Sequence, residues 1–370
     1  MIYNGNGEEK AIRSIAPFHN GFLHISYSRF LSYGPHNTKA VFESSGFLGF
    51  DAIKGDVRIS ADNVLIMCHD AGYTLDSNGK IAVTHDSNNE IVIRNMQSAD
   101  ILALKHSLYE MDEPPCTADD YLRICAKWGK IPFVTVRDEY MDIIAPLLIE
   151  ALERWNLIDR AIINSFTVAS LEKFRALNKR LWLNVVMGRT LTESDLATAE
   201  ELYPCALSPY RASTTATAAE LQADYDAMVD IITECRAKGI PILTAGTYNR
   251  EQYNFHLSHY NGAQMNSVID FAPRKKYFIP MRYTGGAWEF YEANGFEHSG
   301  TITADGGYLY VQSDQIVPTW YAKLSPEITA KCVSDSSVTI SARYWNNLKG
   351  LRVEVPSATE GMKILITIEF

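Results

Sequence analysis

The chain of 370 residues has no surplus of positive charge, no paired cysteines, no long apolar run and no internal repeat. Lys and Arg number 34 against 44 Asp and Glu, a formal net charge of −10. Non-specific nucleic-acid binding needs a basic face, so that function class is excluded, although a locally positive pocket is not. The six cysteines (Cys68, Cys116, Cys125, Cys205, Cys235 and Cys332) form no CxxC pair and no metal-like spacing. They read as buried free thiols, not as a disulfide scaffold or zinc site. No stretch approaches the roughly 20 apolar residues of a membrane span. The opening MIYNGNGEEKAIRS lacks the charged, apolar and small-residue order of a secretory signal. The expectation is a protein with no membrane span, in the cytoplasm or in a virion assembled inside a host cell.

What is present is an apolar content of 46%, enough for one large core and a second, smaller one. From Phe22 to Pro273, short apolar runs alternate with amphipathic stretches. Phe22–Tyr27, Ala52–Val57, Val64–Cys68, Pro132–Arg137, Arg160–Ser165, Leu181–Met187 and Ile240–Thr244 read as strands, with an eighth near Met265–Ile269. Ile143, Ile144, Leu147, Leu148, Ala151, Leu152 and Trp155 follow the three-four spacing of a buried helix face. Leu221, Tyr225, Met228, Ile232 and Cys235 do the same in one helix that stops at Gly239. Alternating strands and helices imply parallel strands, and eight of them predict an α/β fold of the closed (β/α)8 TIM-barrel type.

The pattern changes at Ala272-Pro273-Arg274-Lys275-Lys276. Beyond it, short alternating segments are divided by Gly and Asn turns, and Ile364, Ile366, Ile368 and Phe370 share one face of the last. An antiparallel β-sandwich is expected there. The chain divides into an N-terminal extension (1–20), a barrel (21–274) and a β-sandwich accessory domain (275–370). Trp288, Tyr308, Tyr310 and Trp320 could offer sugar-stacking platforms in that domain, or simply fill its core.

The most telling stretch is GFDAIKGDVRISADNVLIMCHD, from Gly49 to Asp70. Its first strand carries Lys54 and Asp56, and its second runs into His69 and Asp70. Isolated buried charge is costly, so acids, a base and a cation at the ends of apolar strands mark one rim of a sheet as the place for chemistry.

This stretch, with GPHNTKAVF (34–42), FVTVRDE (133–139) and IINSF (162–166), resembles the glycerophosphodiester phosphodiesterase family, whose barrel is shared with phosphatidylinositol-specific phospholipase C. The resemblance implies a TIM barrel acting on phosphodiesters over roughly Phe22 to Pro273. It assigns His69 to protonation of a leaving alkoxide, a task suited to an imidazole. The family's Glu-x-Asp pair and third Glu, which hold a divalent metal, fall at Lys54, Asp56 and Thr135. Its His-Arg pair falls at Tyr27 and Ser28, the lysine that follows its third Glu on the same strand at Arg137, and a tryptophan near the seventh strand at Gly246.

Ca²⁺ or Mg²⁺ wants several hard oxygen ligands, which Asp56 beside an ammonium does not supply. The expectation is therefore no metal and no other cofactor, with fixed positive charge in the ion's place. Lys54, Asp56, Arg137, Arg29 and Tyr27 are the substrate-binding candidates. Asp70 would orient His69, Thr135 would support the site, and Ser165 would hydrogen-bond at the barrel mouth. His24 and His36 are the two candidates for a missing base. The implied ligand is a glycerophosphodiester or an anionic, teichoic-acid-like glycerol-phosphate polymer, hydrolysed without metal. Two alternatives stand beside this: a catalytically inactive pseudoenzyme that recognises a cell-surface glycopolymer, such as a bacteriophage tail or baseplate component, and a structural part of an assembly. A homo-oligomer or larger assembly through the β-domain is compatible with each.

Overall fold

The structure is a computed structural model, and it describes residues 17, 22–27, 35–48, 50–82, 91–106, 113–137, 140–210, 215–265, 276–290, 297–299, 307–312, 327–345, 350–355 and 357–369. The chain divides into two compact units, Met1–Phe271 and Ala272–Phe370.

The first unit opens with β1 (Leu23–Ser26), α1 (Lys39–Phe47), β2 (Ala52–Ile59) and β3 (Leu65–Met67). The short pair β4 (Gly72–Tyr73) and β5 (Ile91–Val92) precedes α2 (Ser98–Ala103) and α3 (Ala118–Lys127). Then come β6 (Ile131–Val136), α4 (Met141–Arg154), β7 (Ile162–Ser165), α5 (Val168–Leu177), β8 (Trp182–Met187), α6 (Glu193–Glu201) and β9 (Cys205–Pro209). The unit ends with α7 (Ala218–Asp226), α8 (Val229–Ala237), β10 (Leu243–Thr247), α9 (Arg250–His259) and β11 (Gly262–Met265).

The strands run in the order β10-β11-β1-β2-β6-β7-β8-β9, all parallel. A parallel bridge between Leu207 and Ile242, with the Leu207 amide donating to the Pro241 carbonyl at 3.0 Å, joins β9 to β10. The sheet is thus a nearly closed eight-stranded barrel.

Three expectations are corrected. Val64–Cys68 is not a barrel stave: β3 folds back antiparallel on β2, Val57 opposite Met67, as a hairpin off the barrel. The stave that replaces it is β9, whose run from Cys205 to Pro209 is short and flanked by prolines at both ends. The eighth strand ends at Met265 instead of beginning there. The helix expected from Leu221 to Cys235 is two, α7 and α8, broken at Ala227-Met228, where the backbone of Met228 leaves helical geometry (φ −132°, ψ 13°).

Both faces of each strand are buried, as parallel barrel strands require. Ile53, Val57, Val134, Val136, Ile163, Leu183, Val185 and Leu207 face outward into the main core, shared with Ile144, Leu148, Leu152 and Phe174 of the helices. Leu23, Ile25, Ala52, Phe133, Ile162, Trp182, Ala206 and Leu243 fill a separate core inside the barrel. Gly55 has a steric reason: a Cβ there would stand 2.3 Å from Met67 Cε and 3.2 Å from the Tyr121 ring. Without a side chain, β3 and α3 close directly on the outside of β2. All six cysteines are free and buried, as expected.

The second unit is an antiparallel β-sandwich of two four-stranded sheets. One has the order β13 (Ala287–Phe290), β12 (Lys276–Thr284), β19 (Lys363–Glu369), β16 (Glu327–Cys332). The other is β14 (Glu297–Ser299), β15 (Gly307–Gln312), β18 (Gly350–Val355), β17 (Ser341–Trp345). Ile364 and Ile366 are buried, which fits the alternation read in the last strand, and Trp288 is a core residue at 5% exposure. Tyr308, Tyr310 and Trp320 lie outside the residues whose side chains are described.

Candidate functional site

One turn of residues above the apolar interior of the barrel, the same inward positions carry polar groups. Along β2 the inward series is Ala52, Lys54, Asp56; along β6 it is Ile131, Phe133, Thr135; along β7 and β8 it steps from Ile162 to Asn164 and from Trp182 to Asn184. The register places Asp56 beside Thr135, Thr135 beside Asn164, and Asn164 beside Asn184. These side chains form a relay: Asn164 Nδ2 donates to Thr135 Oγ1 (3.0 Å), Asn184 Nδ2 to Asn164 Oδ1 (2.6 Å), and Ser208 Oγ to Asn184 Oδ1 (3.0 Å). Buried polar groups must be paired, and this relay pairs them.

Lys54 and Asp56 form the charged centre. The Lys54 ammonium donates to Asp56 Oδ1 at 2.7 Å, with the two side chains 4% and 0% exposed. Arg137 Nε reaches the same oxygen at 3.3 Å. Asn37 secures the carboxylate from the other side: its Nδ2 donates to Asp56 Oδ2 (3.3 Å), and its Oδ1 accepts from the Asp56 amide (2.9 Å). Asn37 takes positive φ (53°), which asparagine tolerates, at the turn before α1. Burial by itself would raise the Asp56 pKa. The Lys54 ammonium, with His69 and Arg137, outweighs that and holds the carboxyl far below the usual carboxylate range.

Immediately beyond this centre lies a narrow cavity of about 40 Å³. Lys54, Arg137, Tyr27, Phe166, Tyr210 and Tyr248 are among its lining residues, and no carboxylate lines it among the described residues. Tyr27, Arg137, Phe166, Tyr210 and Tyr248 each follow the last residue of a strand, so the cavity opens at the carboxyl ends of the barrel strands, where barrel chemistry sits. The Lys54 ammonium lies 5.3 Å from the Tyr27 ring centroid and the Arg137 guanidinium 4.9 Å from that of Phe166, cation–π contacts that brace both cations. Gly246 lies in the wall at φ 91°, and a Cβ there would strike the Tyr248 ring at 2.7 Å. No tryptophan could stand at that position without moving Tyr248.

His69 stands at the rim with its side chain 15% exposed, and its Nδ1 pairs with Asp70 Oδ1 at 2.7 Å. Burial lowers its pKa below the ordinary histidine value, opposed by Asp56 and Asp70 and reinforced by Arg137 and Lys54. Arg58 ties the rim together, donating to the Arg137 carbonyl (2.7 Å) and to the His69 carbonyl (2.9 Å).

The structure therefore brings Lys54, Asp56, Arg137, Tyr27, Thr135, His69 and Asp70 to one end of the barrel. Ser165 hydrogen-bonds at the carboxyl end of β7, its Oγ accepting from the Thr167 amide (3.1 Å), but its neighbour Asn164 is the residue that lines the cavity. Arg29 lies outside the described residues. His24 is turned away from the interior, bonded to Asp51 Oδ2 (2.8 Å) and the Tyr253 hydroxyl (3.1 Å) on α9. His36 is not among the cavity's lining residues. Asn37, Asn164, Asn184, Phe166, Tyr210 and Tyr248 escaped the sequence reading. The signal available was position: each lies at, or one residue beyond, an inward site two residues along from an apolar one, or in the turn that faces Asp56.

Fold and site together define a TIM barrel that presents a buried, cation-rich centre at the carboxyl ends of its strands. The glycerophosphoryl diester phosphodiesterase family model matches residues 30–265, and the chain belongs to that family. Its fold is similar to a family structure from Silicibacter pomeroyi DSS-3, at 16% identity over 69% of this chain and 94% of that one, TM-score 0.55. A phosphodiesterase from Oleispira antarctica, solved with the product sn-glycerol-3-phosphate, matches at 16% identity over 68% and 95% of the two chains, TM-score 0.54. A glycerophosphodiester phosphodiesterase from Thermotoga maritima matches at 18% identity over 67% and 95%, TM-score 0.51. No curated protein matches. Family and fold support a glycerophosphodiester phosphodiesterase-like function. No helix among the described residues is long and apolar enough to cross a membrane.

Proposed function

We propose that the barrel mouth binds the phosphate of a glycerophosphodiester, or of a glycerol-phosphate polymer, through fixed cations and without a divalent metal. The observation that carries this is the Lys54–Asp56 contact at 2.7 Å. A metal in the family position would draw on Asp56 and on the residues at 54 and 135. Here one Asp56 oxygen accepts from an ammonium and a guanidinium, the other accepts from Asn37, and Thr135 supplies only a hydroxyl that already accepts from Asn164. That donor set does not fit a hard divalent cation, which needs several anionic or carbonyl oxygens free to converge. It does fit an oxyanion: Arg137 offers planar donors and Lys54 a point charge, against a cavity lining with no acid among the described residues.

The position of His69 at the rim, paired with Asp70 and within the field of Asp56, Arg137 and Lys54, supports a role in proton transfer. A phosphodiester docked against Lys54 and Arg137 offsets their positive charge, and its own negative charge favours the imidazolium. His69 could then protonate the leaving alkoxide as its P–O bond breaks and a neighbouring substrate hydroxyl closes a cyclic phosphate. Among the described residues the cavity lining holds no imidazole or carboxylate to take the proton of that hydroxyl, which would pass to solvent water. The reading that the geometry supports best is therefore recognition first, with cleavage slow.

Calorimetry with a glycerophosphodiester, in EDTA and then in Ca²⁺, tests this directly. Equal affinity in both and at least a ten-fold loss in Arg137→Gln are expected, since a hydrogen bond to a charged group is worth about 1.5–3 kcal/mol. Binding that appears only with the divalent ion would overturn the metal-free reading. Phosphate-ester turnover followed alongside distinguishes a slow enzyme from a binding module.

A further inference from the structure

A second, larger cavity of about 320 Å³ shares Arg137 as a wall with the barrel mouth. Its walls include Arg58, Arg94, Arg137, Asn95 and Tyr140, with Val92 and Ile93 as apolar flank. Among the described residues, three guanidiniums and no carboxylate line it, in a chain whose formal net charge is −10. Each arginine is already held. Arg58 is locked by the carbonyls of Arg137 and His69, and its Nε is buried with no hydrogen-bond partner. Arg94 donates to the Ser60 carbonyl and to Asn63 Oδ1 (3.0 Å), and its guanidinium lies 4.6 Å from the Tyr140 ring centroid. Arg137 lines this cavity and the barrel mouth alike. Braced guanidiniums lose little freedom when an anion arrives, which makes the pocket a prepared oxyanion site.

We infer that this cavity is a second phosphate subsite, and that the ligand is a chain with at least two phosphodiesters, one at the barrel mouth and the next between Arg58, Arg94 and Arg137. The inference rests on the reading of the mouth given above and names its ligand class: an oligo(glycerol phosphate) in place of a single glycerophosphodiester. Arg137, touching both cavities, is the residue that couples the two subsites. A carboxylate-bearing ligand would also suit guanidiniums, so the test compares ligands that differ only in the number of phosphates.

The experiment titrates the full chain with glycerophosphoglycerol and with a synthetic trimer of glycerol phosphate. The wild type is expected to bind the trimer at least about ten-fold more tightly, the scale of one added charge-assisted contact. Arg94→Gln is expected to remove most of that advantage while leaving glycerophosphoglycerol within two-fold. Because Arg94 also braces the Ser60–Asn63 turn, Asn95→Asp provides an independent probe. It adds a negative charge to the pocket wall and keeps the brace, and it too should weaken only the trimer. Equal wild-type affinity for the two ligands overturns the second subsite, as does a variant that weakens both alike. If glycerophosphoglycerol binds but Arg137→Gln does not weaken it, the reading of the barrel mouth fails instead.

Discussion

Two layers inside the same barrel differ in almost everything although they lie two residues apart on the same strands. The lower layer, with Ile25, Phe133, Ile162 and Trp182, is apolar and fully packed. The upper layer, with Lys54, Asp56, Thr135, Asn164 and Asn184, is just as buried but charged or amidic. The lower layer is held by area removed from water and carries no titratable group, so it is insensitive to pH. The upper is held by partners: each group is tolerable only because another stands within hydrogen-bond range. A packed apolar layer specifies a barrel, whereas a buried polar layer leaves fixed charge and dipoles aimed at the mouth, which is what binding an anion needs.

The largest expected effect separates the two layers by how they can be repaired. Asp56→Asn strands the Lys54 ammonium in the interior and should destabilise the barrel unit by about 3–5 kcal/mol. Phe133→Ala in the lower layer should cost a similar ~3–5 kcal/mol, as a cavity. Adding Lys54→Met to Asp56→Asn is expected to restore most of the loss, because an uncharged pair has no stranded ion, while anion binding stays lost. Adding Lys54→Met to Phe133→Ala repairs nothing. Denaturant unfolding of the four variants decides it. A double variant no more stable than Asp56→Asn would mean that the ion pair itself, and not relief of a stranded charge, sets the stability.

The same contrast explains what the sequence could reveal. Staves such as Ile131–Val136 and Trp182–Met187 announce themselves because both faces are apolar. The run from Leu65 to Met67 has the same composition, and nothing local separates a stave from a hairpin arm. What decides it is Gly55, which lets Met67 and Tyr121 pack on the outer face of β2. The run at Cys205–Pro209 was missed because it is short and carries Ser208, one of the polar inward residues. At the site, Lys54, Asp56, His69 and Arg137 were legible because charge in an apolar strand needs a reason. Asn164 was not, since its neighbour Ser165 looked equally polar, and only the inward parity of β7 tells them apart. Asn37 depends on a turn that crosses to β2 from 19 residues away, a contact that local pattern does not encode.

A smaller effect probes the amide relay. Asn164→Ala removes the donor to Thr135 and the acceptor of Asn184 together. Leaving those buried partners unsatisfied should cost about 1–3 kcal/mol, in stability more than in anion affinity. Thermal unfolding read beside calorimetry checks the split. A loss of affinity as large as that of Arg137→Gln would place Asn164 in direct contact with the ligand.

The smallest effect concerns His69, and two signs must agree. Its folded pKa is depressed, chiefly by burial, so the folded state favours the neutral imidazole. The unfolded chain takes up that proton first as pH falls below about 6.5, so the stability His69 contributes is present above that value and is lost as pH falls through the lower folded pKa. His106 and His256, buried and pushed down to about 4, act in the same direction, so only the difference between wild type and a variant isolates His69. His69→Gln should therefore flatten the acid side of the stability profile slightly. Anion binding should move the other way: as pH falls toward the depressed His69 pKa the wild type gains affinity for a phosphodiester as an imidazolium forms beside it, by a few-fold, whereas His69→Gln stays level. Asp56, held charged far below this range by Lys54, does not titrate in that window and cannot mimic the effect. A wild-type affinity that is flat or falls on acidification would show that His69 does not face the bound phosphate, and would move proton transfer away from it.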